Sequence, residues 1–124
     1  MSLPTLETKQ AIIQRIQQAH AQRQTFLAQM RDRQKQALEI AQQISDRLKT
    51  EFGVQKVILF GSLLNPEHMD FESDIDLAVW GLPAQSLYRA GATMEEGHNF
   101  PVDLVPIEQA KPHIQEAIAK GVEL

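Results

Sequence analysis

Residues 5 to 50 run without a glycine or a proline and are dominated by Ala, Gln, Arg, Leu and Ile, a pattern that predicts helix, with Thr5 as its N-cap and Glu7 in its first turn. Apolar or small residues recur at intervals of three and four at Ile13, Ile16, Leu27, Met30, Ala37, Ala41, Ile44 and Leu48, while polar His20, Arg23 and Gln34 fall on the same seam. That imperfect seam leaves open a bend or a break into two helices between about residues 20 and 35, and an unbroken helix would reach roughly 65 Å, more than a small domain's diameter. Two readings follow: an arm that engages a partner or a second copy of the chain, or a helix folded back on its own domain. The arm is the expectation, because a strip this long needs more apolar surface than so small a body offers.

Beyond Gly53 the pattern changes. Val54 to Phe60 becomes increasingly apolar and β-branched, as a buried strand does, and stops at Gly61-Ser62. Leu63-Leu64-Asn65 predicts a short helical turn ended by Pro66, and residues 67 to 73 a polar connection. A second strand is expected over Asp74 to Trp80, closed by Gly81-Leu82-Pro83, then a helix over Ala84 to His98 with Leu87, Ala90 and Met94 on one face. Residues 101 to 105 predict a third short strand, and Glu108 to Ala119 a last helix. The order helix, strand, strand, helix, strand, helix implies an α/β or α+β domain. We divide the chain into a helical arm, 1–38, and a domain, 39–124.

Composition narrows the picture. At 124 residues and 43% apolar, the chain has room for one core plus an appendage. The absence of cysteine removes disulfides, thiolate metal sites and thiol nucleophiles, and the histidines at 20, 68, 98 and 113 show no i, i+4 pair suited to zinc. The N-terminus has neither a signal-peptide core nor an apolar run long enough to span a bilayer, so a cytoplasmic location is expected. The net charge of −4 hides a split: residues 1–50 carry +4 and residues 51–124 carry −8. An acidic body suits divalent cations better than duplex DNA.

The candidate chemistry lies in "DFESDIDLAVW", residues 70–80, where Asp74 and Asp76 would share one face of a strand and repel. No Lys or Arg occurs from Val57 to Tyr88 to separate them. A divalent metal is the remaining candidate, and Mg²⁺ is held through one or two carboxylates plus substrate phosphates. Asp103, a third acid within the apolar "FPVDLVP", makes a two-metal site geometrically reasonable. Gly61-Ser62, at the end of a buried strand, would offer backbone N–H groups and a hydroxyl to an anion, so phosphate cradle and metal cradle adjoin. The implied ligand is a nucleoside triphosphate with Mg²⁺.

The stretch "VILFGSLLNPEHMDFESDIDLAVWG" followed by "FPVDLV" resembles the minimal nucleotidyltransferase (MNT) domains of the DNA polymerase β superfamily, over roughly residues 40 to 124. The resemblance implies a small mixed β-sheet flanked by helices. It implies Gly61 and Ser62 at the triphosphate, Asp74 and Asp76 shared by two Mg²⁺, and Asp103 on the metal that activates the acceptor hydroxyl. The implied reaction is in-line attack of that hydroxyl on an α-phosphorus, with ATP as donor and pyrophosphate leaving. Many such domains are antitoxins of all-helical HEPN toxins, in some cases transferring AMP to a toxin tyrosine. The chain ends soon after the third acid, so the acceptor is expected from a partner protein rather than from nucleic acid or membrane, with the N-terminal helix a candidate docking element or homo-oligomer contact.

One departure from the family pattern stands out. The basic residue common after Gly-Ser is missing from Leu63-Leu64-Asn65-Pro66-Glu67-His68-Met69, which bears on turnover. His68 reads as a solvated loop residue, although Arg89 or Lys111 could swing in. Trp80 and Phe60 read as core, Glu95-Glu96 as a solvated helix face, and Tyr88 as a packing residue rather than a self-modification target. The alternative to an enzyme is a nucleotide-binding module that neutralises a helical partner by stoichiometric masking. A small-molecule nucleotidyltransferase fits less well, since no second domain shapes a substrate pocket.

Overall fold

The computed structural model describes residues 6–124, so the cap expected at Thr5 lies outside the described residues. Helix α1, Leu6–Phe52, is a single helix of 47 residues, about 70 Å long at 1.5 Å per residue. The break considered between residues 20 and 35 does not occur. No helix breaker lies there, and polar seam residues find partners without opening the helix: Gln24 and His20 bond at 3.0 Å one turn apart, and Gln34 reaches a neighbouring loop. Gly53, at φ +70°, ends α1 and lets the Val54 amide reach back to the Leu48 carbonyl.

Four strands form one mixed sheet in the order β3-β2-β1-β4, with β1 Lys56–Phe60, β2 Ile75–Trp80, β3 Val102–Pro106 and β4 Val122–Glu123. Strand β1 is antiparallel to β2 and to β4, while β2 and β3 are parallel. Helices α2, Leu87–Met94, and α3, Pro112–Ala119, complete the domain, as a small mixed sheet flanked by helices predicts. Alternation along the strands splits the core in two. Val57, Leu59, Ile75, Leu77, Val79 and Leu104 pack with Met30, Ala37, Ala41, Ile44 and Leu48 of α1 and Ala90 and Met94 of α2. On the opposite face Phe60 and Ala78 meet Ala110 and Ile118, with Ile58, Trp80 and Ile114 at the margin.

The long helix is divided between a half that folds back on the sheet and a half that projects from it. From Phe26 onward α1 lies on the sheet, whereas every residue from Ile12 to Thr25 is exposed, including Ile12 (44%), Ile13 (52%) and Ile16 (63%). Gln34 touches the loop after β1, and Leu48 lies beside Val54 near the start of β1. The free half therefore overhangs the end of the sheet where β1 finishes and β2 begins.

Other boundaries move for local reasons. The helix expected over 84–98 is a 3₁₀ turn, Ala84–Ser86, followed by α2. His98 ends it: its Nε2 donates to the Met94 carbonyl at 2.6 Å, its Nδ1 accepts from the Phe100 amide at 3.1 Å, and Gly97 takes φ +85°. The last helix starts at Pro112, after a 3₁₀ turn at Ile107–Gln109. Pro66, expected to stop a turn, opens a second one, Pro66–His68. The short β4 was not foreseen. Tyr88 is not a packing residue, since it is 91% exposed, on the outer face of α2. No helix among the described residues is long and apolar enough to cross a membrane.

Candidate active site

Strand β2 carries the centre of the site. Its buried face, Ile75, Leu77 and Val79, fixes its rotation, so Asp76 must point to the opposite face, as must Asp74 just before the strand. A one-residue slip would bury the acids and expose the core. The sheet register then sets Phe60 of β1, Asp76 of β2 and Asp103 of β3 in one row across the sheet. Asp74 and Asp76 are half-buried and Asp103 is exposed. On this face Phe60 and Ala78 are covered by Ala110 and Ile118, whereas Asp74 and Asp76 stay partly open and Asp103 is exposed.

The electrostatics follow from this row. The Asp76 carboxyl is pushed up to about 6 from its ordinary 3.8, first by burial, then by the charges of Asp103 and Asp74. Among the described residues the ion pairs are Arg47–Glu51 and Lys56–Glu123, both elsewhere. Arg89 is not available to the site, because its guanidinium lies 5.2 Å over the Phe52 ring, and His68 and Lys111 are exposed. Three carboxylates thus adjoin with no side-chain cation paired to them among the described residues, an arrangement whose repulsion a bound cation would relieve.

Gly61 follows Phe60 with φ +89°, and a side chain there would collide with the Asp76 carboxylate. Glycine is thus required for two reasons, and it brings bare backbone against the acids. Ser62, partly buried, begins the 3₁₀ turn Ser62–Leu64. The structure therefore gathers Gly61, Ser62, Asp74, Asp76 and Asp103 at one end of the sheet. Among the described residues no three acidic or imidazole side chains close into a ready cage of metal ligands. An all-oxygen donor set that falls short of a full protein cage fits Mg²⁺, which keeps waters and takes ligands from substrate phosphates.

Sequence reasoning missed what holds the loop between β1 and β2. Gln34 Nε2 donates to the Leu63 carbonyl at 2.8 Å, fixing the turn after Gly61-Ser62. Arg33 Nη2 donates to the Phe71 carbonyl at 3.1 Å, and its guanidinium covers Phe100 at 4.8 Å and Phe71 at 5.9 Å. Phe26 meets Phe71 edge-on at 5.7 Å. Within the loop, the Asp70 amide donates to Ser73 Oγ at 2.9 Å and the Glu72 amide to Asp70 Oδ1 at 2.8 Å. One turn of α1 thus clamps both ends of the loop that leads into Asp74. Its sequence signal was Gln34, a polar residue on an apolar seam; Arg33, in a run rich in Arg and Gln, gave none.

Comparison with known proteins bears on the family and the fold. The model of the family described as polymerase beta, nucleotidyltransferase matches residues 42–124. Among solved structures, one described as a toxin–antitoxin crystal structure with AMP-PNP superposes with a TM-score of 0.54 at 22% identity, covering 65% of this chain and 69% of that one, a likeness in fold. No curated protein matches the sequence.

Proposed function

The chain belongs to the polymerase beta nucleotidyltransferase family, and from that premise we propose that it transfers a nucleoside monophosphate, AMP from ATP, to a side-chain hydroxyl of a protein partner, as the antitoxin of a HEPN/MNT pair. The observation that carries this reading is the Asp76–Asp103 row, with Asp74 beside it, unpaired with any side-chain cation among the described residues and backed by Gly61. Asp74 and Asp76 would hold two Mg²⁺ in common, and Asp103 would bind the ion nearer the acceptor. Gly61 and Ser62 would receive the triphosphate at the turn that Gln34 fixes. Two divalent ions supply charge neutralisation of the triphosphate and a lowered pKa for the acceptor hydroxyl. The hydroxyl oxygen then bonds to the α-phosphorus as the bond to the β-phosphate's bridging oxygen breaks; pyrophosphate leaves and the hydroxyl proton passes to solvent.

A protein acceptor is favoured by α1, whose free half carries Ile12, Ile13 and Ile16 exposed beyond the site end of the sheet. A contiguous apolar stripe of this kind suits a helical partner. The similar fold crystallised as a toxin–antitoxin structure with AMP-PNP is in keeping with a nucleotide and a toxin as ligands.

The test is to incubate the protein, Mg²⁺ and the product of the adjacent gene with ATP labelled at the α- or the γ-phosphate. Transfer of α-label alone, lost in the Asp74→Ala, Asp76→Ala double variant, is expected; γ-label transfer overturns the chemistry. The second reading, a nucleotide-binding module that masks a helical partner, is favoured by the cation-free stretch from Val57 to Tyr88. It predicts that the double variant still neutralises the partner and that no label moves.

A further inference from the structure

Strand β3 is an edge strand, paired only with β2. In the parallel register the Ile75 amide bonds the Pro101 carbonyl, so Asp103 and Val105 turn their backbone groups inward and Val102 and Leu104 turn theirs outward. At one end of that edge Glu95 Oε2 accepts from the Val102 amide at 2.9 Å, in the place a neighbouring strand's carbonyl would take. The Leu104 N–H and the Val102 and Leu104 carbonyls have no backbone partner among the described residues. They open on a groove of about 300 Å³ between β3 and α2, walled by Leu87, Tyr88, Gly91 and Glu95 and reaching Asp103. Tyr88, almost fully exposed, forms its lip.

The geometry points to this groove as the acceptor site: an extended, basic, hydroxyl-bearing segment of the partner protein docks as a fifth strand against β3, presenting the hydroxyl beside Asp103. The assignment rests on the nucleotidyl-transfer reading and specifies how its acceptor arrives. An unpaired N–H beside an apolar wall favours an added strand, which supplies main-chain partners and places alternate side chains on alternate faces. The side chain opposite Asp103 would extend the Phe60–Asp76–Asp103 row by one strand, on the face that carries the acids. From there to Asp76 is two strand spacings, roughly 10 Å, so a long hydroxyl side chain closes more of that gap than a short one. Glu95 and Asp103 make the groove acidic, and Arg89, the nearest base on α2, is held over Phe52, so a basic segment is the complementary one.

Gly91 gives a clean variant. A Cβ there meets nothing within 4 Å, so Gly91→Leu fills the groove while favouring helix α2. The probe is a synthetic peptide, acetyl-Lys-Thr-Val-Tyr-Val-Thr-Lys-amide, added at millimolar concentration to the full chain with amide exchange read by NMR. Protection of the Leu104 amide is expected to rise at least tenfold. It is expected to stay at its starting level with the peptide N-methylated at alternate amides, with glutamate in place of both lysines, or with Gly91→Leu. Unchanged Leu104 exchange with the lysine peptide, or equal protection in the three controls, overturns the proposal. Mg·ATP binding, measured in parallel, tests the underlying reading separately: it is expected to be the same in Gly91→Leu as in wild type. Peptide docking without nucleotide binding leaves the strand-addition site standing and removes its role as an acceptor site.

Discussion

Replacing Asp76 by asparagine removes the charge whose cost the structure makes most explicit. The carboxyl titrates at about 6 when folded, against 3.8 ordinarily, because of burial first and the neighbouring acids second. A shift of that size corresponds to ~3 kcal/mol at most, and since Asp76 is only half-buried, solvent screening reduces it to roughly 1–2 kcal/mol. The sign is fixed by the direction of the shift. Below pH 4 both folded and unfolded chains hold the proton; between about 4 and 6 the unfolded chain releases it first, so stability falls as pH rises and then levels off. Denaturant unfolding in EDTA at pH 4 to 8 should therefore show wild type losing roughly 1–2 kcal/mol relative to Asp76→Asn across that window. The variant should be the more stable protein at pH 7.5, and added Mg²⁺ with ATP should narrow or reverse the gap by stabilising wild type alone. Parallel curves for the two proteins from pH 4 to 7 would refute the claim that Asp76 sits charged, half-buried and uncompensated.

Three further substitutions probe the framework. Gly61→Ala sets a side chain at φ +89° against the Asp76 carboxylate, and should cost about 1–2 kcal/mol and abolish Mg·ATP binding; calorimetry of a folded variant checks both. Gln34→Ala leaves the Leu63 carbonyl unpaired, for a loss of about 1 kcal/mol in urea unfolding, and should weaken nucleotide binding although the side chain lies outside the acidic row. Leu48→Ala empties a fully buried position between α1 and the sheet and should cost about 2–5 kcal/mol, with the affinity of the remaining folded protein for Mg·ATP unchanged.

The parts legible in the sequence were those governed by short-range pattern. Alternation in "DIDLAVW" and the breakers at Gly53, Gly61 and Gly81 located the central strands within a residue or two, and the strand period put Asp74 and Asp76 on one face. The side-by-side setting of Asp76 and Asp103 depended on the parallel pairing of β2 with β3, which the register supplies. What the pattern could not carry was tertiary. Gln34 looked like a flaw in an apolar seam until its partner, Leu63, 29 residues away, came into view. Tyr88 sits on a helix among packing residues, and its outward orientation depends on the rotation of α2 against β3. His98 stops α2 through two bonds of one ring that no propensity encodes. The two-residue β4 exists because the edge of β1 was free, a fact about the sheet rather than about Val122 and Glu123.

The central claim, that the row of acids and the Gly61-Ser62 turn together form a metal-dependent nucleotide site, is tested most directly by calorimetric titration of ATP into wild type and Asp76→Asn, each with Mg²⁺ and with EDTA. Saturable binding in wild type with Mg²⁺, absent in the other three titrations, is the predicted result. ATP binding that survives EDTA, or that is equal in Asp76→Asn, would contradict it.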